Sequence, residues 1–137
     1  MSLELADTSA WTNRGKDASV FADFDDRMFA GDIATCSMVT VELLWTAQNN
    51  TEFLEQRREL GALPQLAITE RTWARAIDVW EMLVANGRHR QITPPGLLIA
   101  ATAELAGVGL CHYDRDFETI AEVTGQPVRA IAPLGSL

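Results

Sequence analysis

Residues 93–117 constrain the fold more than any other stretch. Thr93-Pro-Pro-Gly96 opens a helix that runs apolar to Ala106, Gly107 turns the chain, and Val108 to Tyr113 forms a short buried strand. Two acids, Asp114 and Asp116, follow where that strand ends. Thr93 is a good N-cap and Pro94 suits the first helical position. A helix packed between short apolar strands calls for parallel pairing, because parallel neighbours need a crossover connection and a helix supplies it.

The rest of the chain repeats this unit. Leu3 to Asp7 alternates as a strand and ends at Thr8-Ser9, a hydroxyl pair suited to capping the next helix. From Asp17 to Ala30, Val20, Phe21, Phe24 and Met28 share a helical face, and Gly31 closes it. Asp23, Asp25 and Asp26 fall off that stripe, as a solvated face does. Ile33 to Cys36 is the second strand, and Ser37 should cap a helix from Met38 that carries Val39, Glu42 and Leu43. A short helix from Asn50 or Thr51 to Gly61 and a third strand, Pro64 to Ile68, come next.

The clearest helix runs from Thr69 to Asn86, with Trp73, Ala76, Ile77, Trp80, Leu83 and Val84 at helical spacing and Gly87 as the stop. Such an aromatic stripe is more often core or dimer interface than a cofactor box. Phe117, Ile120, Ala121 and Val123 support a last helix to Gly125, and Pro127 to Ile131 closes as a fifth strand. The expectation is one α/β domain over residues 1–137, a three-layer α/β/α sandwich around a mainly parallel five-stranded sheet.

Charge and composition narrow the function. A net charge of −8 argues against a protein that coats nucleic acid. It leaves room for an enzyme that meets a phosphodiester through bound metal, with Arg14 and Lys16 or Arg88, His89 and Arg90 as a basic edge. No apolar run approaches the ~20 residues of a membrane span, and the first residues do not read as a signal peptide, so a cytoplasmic protein is expected. Cys36 and Cys111 each sit in an apolar strand as free, buried thiols, without the Cys/His cluster that zinc wants.

Ligands of a parallel α/β sheet bind beyond the carboxyl ends of its strands. Asp7 ends the first strand, Asp114 ends the fourth with Asp116 just beyond, and Glu42 lies on the helix leaving the second. Four carboxylates from three segments can therefore converge on one sheet edge, where a cation would offset their repulsion. Oxygen donors favour Mg²⁺ or Mn²⁺, which can activate water against a phosphodiester. Asp7 could instead cap a helix, and Asp114 and Asp116 could complement a helix dipole. A phospho-accepting receiver domain is excluded, since its last strand wants a Lys and Pro127 to Ile131 has none.

Leu5-Ala-Asp-Thr-Ser-Ala10, Val41-Glu-Leu43, Leu97-Leu-Ile-Ala-Ala-Thr-Ala103 and His112-Tyr-Asp-Arg-Asp-Phe117 together resemble the PIN domain, and more narrowly the VapC toxins of bacterial toxin–antitoxin pairs. The resemblance covers the whole chain in order and spacing. It implies a Mg²⁺- or Mn²⁺-dependent endoribonuclease that cleaves RNA to leave a 3′-hydroxyl and a 5′-phosphate. It implies a homodimer, held inactive by a cognate VapB-type antitoxin that lies in an apolar groove which Leu44 and Trp45 would help line. Asp7, Glu42 and Asp114 would take the family's metal-site positions, with Asp116 as the additional acid and Thr8 or Ser9 orienting ligands or the phosphate.

The departure is Gly96, where the family usually has an Asp before the Leu-Leu-Ile-Ala-Ala segment. Local physics expects an acid there too, at the third position of a helix capped by Thr93. Glycine costs about 0.5–1 kcal/mol against alanine in a helix and offers no charge. Gly96 is read either as an inactivating substitution, engineered or selected, or as a natural variant with altered metal binding. The competing function is a catalytically inactive PIN domain that binds antitoxin or RNA without cutting.

Overall fold

Every predicted helix–strand unit forms, and all the strands but the second are shorter than the apolar runs that encode them. In the computed structural model, which describes residues 2–137, the strands are β1 (Glu4–Ala6), β2 (Ile33–Cys36), β3 (Gln65–Leu66), β4 (Gly109–His112) and β5 (Val128–Ala130). The helices are α1 (Thr8–Asn13), α2 (Ala18–Phe29), α3 (Ser37–Trp45), α4 (Asn50–Gly61), α5 (Glu70–Ala85), α6 (Pro94–Ala106) and α7 (Arg115–Thr124), with a 3₁₀ turn over Arg14–Lys16. The sheet order is β3-β2-β1-β4-β5. All pairings are parallel, with Leu5 opposite Ala34 on one side and Leu110 on the other.

The sheet is thus wholly parallel where the sequence predicts a mainly parallel one. β1 lies at its centre. The chain first winds outward to β2 and β3, then returns to place β4 on the other side of β1. The winding reverses between β1 and β4, and that is where an open α/β sheet leaves a crevice beyond its strand ends.

Alternation along the strands builds the two inner layers. Leu5 and Leu110 join the larger core with Val39, Leu83, Ile99 and Ile120, while Ala6 and Cys111 join the smaller one with Ala10, Ile33 and Phe24. Burial of each large side chain contributes about 1.5–3 kcal/mol. Both cysteines are buried free thiols, as expected, and burial pushes Cys111 up to about 12.

Several local expectations need correction. The third strand shrinks from Pro64–Ile68 to Gln65–Leu66. Pro64 has no N–H to give a ladder, and its carbonyl instead accepts the Thr35 N–H on this sheet edge. Asp7, rather than Thr8 or Ser9, caps α1. Ser37 is already helical, and Cys36 stands at the cap position without a side-chain bond. Of the predicted α2 face only Phe24 is buried, and Phe21 is exposed.

The α5 stripe splits in two. Ala76 and Leu83 are buried with Thr72 and Val79, whereas Trp73, Ile77, Trp80 and Val84 remain exposed. Around Gly96, by contrast, the reading holds: Thr93 Oγ1 accepts the Gly96 N–H at 3.4 Å, and Gly107 ends α6 at φ 70°. Among the described residues no helix is long and apolar enough to cross a membrane.

Candidate metal centre

The site begins where β1 hands over to α1. The Asp7 N–H bonds the Cys111 carbonyl at 2.9 Å, which carries the β1–β4 ladder one residue past β1. The Asp7 carboxylate then accepts the Ser9 N–H at 2.8 Å and caps α1. Asp7 is only 5% exposed. Burial pushes its pKa up, bonds from the Ser9 hydroxyl and amide oppose this, and the charge of Glu42 pushes it further up. From α3, Glu42 meets the residue after Asp7: its Oε1 accepts a 2.7 Å hydrogen bond from Thr8 Oγ1.

The second half forms beyond β4. Ser9 Oγ accepts the Tyr113 N–H at 2.9 Å and ties the start of α1 to the β4 exit. Asp114 caps α7 by accepting the Asp116 N–H at 2.9 Å. Asp116 has its pKa raised, first by burial and then by the Asp114 charge. The acids therefore stand as two pairs, Asp7 with Glu42 and Asp114 with Asp116, linked through Ser9. Among the described residues no three His, Cys, Asp or Glu side chains stand together as a group that could hold one metal ion.

Sequence reasoning missed the part played by His112. This imidazole is fully buried, and its Nδ1 accepts the Asp114 N–H at 3.0 Å. Its Nε2 is buried without a hydrogen-bond partner, the nearby Glu118 Oε2 lying 3.9 Å away. A buried orphan donor costs about 1–3 kcal/mol. Burial above all lowers the His112 pKa, although Glu118 and Asp114 pull the other way. A histidine on an apolar strand two residues before an acid was the available signal.

The donor set suits a hard cation, with a limit. Mg²⁺ uses one or two carboxylates and keeps several waters, so each pair has the number of carboxylates such an ion takes. A four-carboxylate cage is not what the side chains form. Gly96 stands beside the β4 half: a Cβ built there meets Thr93 Oγ1 at 3.5 Å and Phe117 Cζ at 4.0 Å, both ordinary contacts. Its φ is not positive, so the backbone does not require glycine. Gly96→Ala is accordingly expected to stabilise the fold by about 0.5–1 kcal/mol, read as a higher urea midpoint at unchanged slope.

The proposed basic edges are partly engaged. Arg88 pairs with Glu122 at 2.7 Å. Arg14 folds over the rings of Trp11, Phe21 and Phe24, with its Cζ 5.0 to 5.2 Å from their centroids. Arg14 lines a groove of about 820 Å³ with Trp11, Phe29, Leu43, Gln56 and Leu60 among its walls. Within it Trp11 Nε1 and Gln56 Oε1 are buried without protein partners. Asp25, predicted to be solvated, also lines this groove, whereas Leu44 and Trp45 do not. The groove adjoins the acids through α1 and through Leu43, the residue after Glu42.

Comparison with known proteins gives concordant results. The sequence model described as "PIN domain" matches residues 5–123. Ribonuclease VapC18 of Mycobacterium tuberculosis is 35% identical over 133 residues, covering 96% of each chain. Ribonuclease VapC51 of the same organism is 38% identical over 109 residues, covering 79% of this chain and 78% of its own. Among solved structures, a DNA-bound VapBC from Salmonella typhimurium superposes with a TM-score of 0.72 at 14% identity, over 96% of this chain and 100% of that one. VapBC2 from Rickettsia felis, bound to a promoter DNA fragment, gives 0.71 at 15% identity, over 93% and 98%.

Proposed function

The chain belongs to the PIN-domain family and to its VapC ribonucleases, and from that premise we propose a divalent-metal-dependent endoribonuclease whose activity is limited at Gly96. The observation that carries this reading is the buried Asp7 carboxylate, under the charge of Glu42 at the reversal of the sheet, while Asp114 caps α7 with Asp116 in its first turn. A buried acid with a second acid against it is a poor choice for stability and a sound one for holding a cation.

By family position, Asp7, Glu42 and Asp114 are the residues that would hold Mg²⁺ or Mn²⁺, with Asp116 as the additional acid; in the side-chain arrangement seen here they offer it two carboxylate pairs, not one three-acid group. When bound, the ion supplies an activated water and charge stabilisation at an RNA phosphodiester. The chain's own part is positional. Asp7 is aimed by its cap bond to Ser9, Glu42 by the Thr8 hydroxyl, and Asp114 by its bond to the Asp116 N–H. Ser9 holds the two halves at a set separation through Tyr113.

The toxin belongs with a VapB-type antitoxin, and the 820 Å³ groove beside the acids is its proposed seat. The walls are mixed: Trp11, Phe29, Leu43 and Leu60 give an apolar side, while Arg14, Asp25, Glu59 and the unpartnered Trp11 Nε1 and Gln56 Oε1 give a peptide polar groups to match. Phe29, which is 81% exposed, lines the rim. Phe29→Arg is expected to weaken antitoxin binding by about tenfold, or ~1.4 kcal/mol, with no loss of thermal stability. The exposed Trp73, Ile77 and Trp80 face of α5, continuous with Pro94 and Leu97, is the proposed surface for a second copy in a homodimer.

A second reading is favoured by two observations, the two-pair arrangement of the acids and the glycine at 96. In that reading the chain is an inactive PIN domain that binds antitoxin or RNA without cutting. Cleavage of RNA in Mn²⁺ by the chain and by Gly96→Asp, each with and without Asp7→Ala, separates them. Activity that needs both acids supports the enzyme; binding without cleavage in every variant supports the module.

A further inference from the structure

We propose that His112 is a positioning residue, whose Nδ1 holds the backbone of Asp114 and so fixes the direction of that carboxylate. The proposal rests on the metal-site reading for what Asp114 holds, and on hydrogen bonds within this chain for how it is held.

Asp114 lies past the last ladder residue of β4. There the Ile131 N–H still bonds the His112 carbonyl at 2.9 Å, but neither Tyr113 nor Asp114 has a strand partner for its own N–H. Side chains take over. Ser9 Oγ receives the Tyr113 N–H, and His112 Nδ1 receives that of Asp114 at 3.0 Å. With its N–H held and its Oδ1 accepting the Asp116 N–H at 2.9 Å, Asp114 is fixed at both ends in an extended conformation, φ −149° and ψ 122°.

The imidazole is an unfavourable resident for this position unless Nδ1 is the reason for it. It is fully buried, packs 5.4 Å from the Phe117 ring, and leaves Nε2 without a partner. A leucine would fill the same apolar space without an orphan donor. An Nδ1 that accepts cannot carry the proton, so the hydrogen sits on Nε2. Glu118, 3.9 Å from Nε2, is too far for a hydrogen bond and close enough to favour that tautomer. Partners of this kind, which orient a ligand without touching the ion, typically matter for metal affinity by roughly 10–100-fold.

Three variants separate the atom from the space it fills. Asn places an oxygen near the Nδ1 position, Gln places one near Nε2, and Leu supplies only volume. The first readout needs no metal: ring-nitrogen shifts give the tautomer, and three-bond couplings give the Asp114 χ1 population. The proposal expects a proton on Nε2 in the wild type, and a single Asp114 rotamer both in the wild type and in His112→Asn. In His112→Leu and His112→Gln it expects averaged rotamers and amide exchange at Asp114 faster by roughly tenfold.

The second readout is Mn²⁺ binding by calorimetry, weakened by at least roughly tenfold in the Leu and Gln variants and restored in Asn. A single Asp114 rotamer in folded His112→Leu, or a proton on Nδ1 in the wild type, overturns the proposal. Should the wild type bind no Mn²⁺, the metal-site reading fails by itself, and the rotamer and tautomer data still decide the role of His112.

Discussion

Gly96→Asp is expected to raise Mn²⁺-dependent RNA cleavage by about two orders of magnitude, and Asp7→Ala in the same chain to remove the gain. The size follows from what a carboxylate does next to a cation. Metal charge stabilisation is worth several kcal/mol in the transition state, and ~3 kcal/mol corresponds to roughly a hundredfold. The structure accommodates the change. Residue 96 has ordinary helical backbone, and a Cβ there meets only Thr93 Oγ1 and Phe117 Cζ at van der Waals distance. Phe117 follows Asp116, so the new carboxylate starts beside the β4 half of the site, one residue from its second acid. It also occupies the first turn of α6, whose dipole favours a negative group. Gly96→Ala is the control, because it should gain the helix stability without the cleavage. If Gly96→Asp folds and binds its partner yet cuts no faster than the Gly96 chain, the limit on activity lies elsewhere and the binding-module reading prevails.

Asp7 is expected to separate function from stability. In the Gly96→Asp background, Asp7→Asn should lower cleavage by about a hundredfold or more, and metal-free Asp7→Asn should melt higher than its parent at neutral pH. Both effects come from the same burial. The native pKa of Asp7 is raised above 3.8 chiefly by desolvation, with Glu42 adding to it. The folded state therefore holds the proton more tightly than the unfolded chain. Stability from this group is fully present below the unfolded value and is lost as pH rises through the folded value, so at neutral pH the ionised carboxylate is a liability. Asparagine removes that loss and keeps an oxygen for the Ser9 N–H.

Asp7→Ala removes the acceptor as well and should cost about 1 kcal/mol relative to Asp7→Asn. Melts across the pH range above 3.8 test this, since the component due to Asp7 should disappear in Asp7→Asn. Mn²⁺ should invert the ranking by stabilising only chains that keep the carboxylate. If Asp7→Asn binds Mn²⁺ as its parent does, Asp7 is a helix cap and no ligand.

Legibility varied with the range of the interaction. The α6–β4–α7 stretch was readable almost residue by residue because its signals are local: Thr93 as cap, Pro94 in the first turn, Gly107 and Gly125 at positive φ. Cap chemistry at the other ends was less secure. Asp, Ser and Thr compete for the same role, and at α1 the acid took it, while at α3 no side chain did. The α5 stripe is helical, as its spacing predicts, and it divides between a covered side and an open one. Its periodicity records apolar character and does not say which half a neighbour covers.

The sequence places Asp7 and Asp114 just past strand ends and Glu42 within α3, but how these acids are arranged depends on contacts between distant segments. Thr8 and Glu42 lie 34 residues apart, and Ser9 and Tyr113 lie 104 apart. Nothing in local spacing encodes such bonds. The same holds for Arg14, which reads as an exposed base and instead lies over three aromatic rings.

Sequence alone determined the alternation of helices and short apolar strands, hence a parallel α/β sheet, and it placed Asp7 and Asp114 at strand ends. These follow from hydrophobic periodicity and glycine stops, which act within a few residues. Tertiary structure alone decided the order β3-β2-β1-β4-β5, the division of the acids into two pairs, and the capture of the Asp114 N–H by His112. Those depend on which segments meet after collapse, and on where a buried polar group finds its partner. Residue 96 shows the boundary between the two. Its glycine is visible in the sequence, but only the packing shows that neither backbone conformation nor crowding requires it.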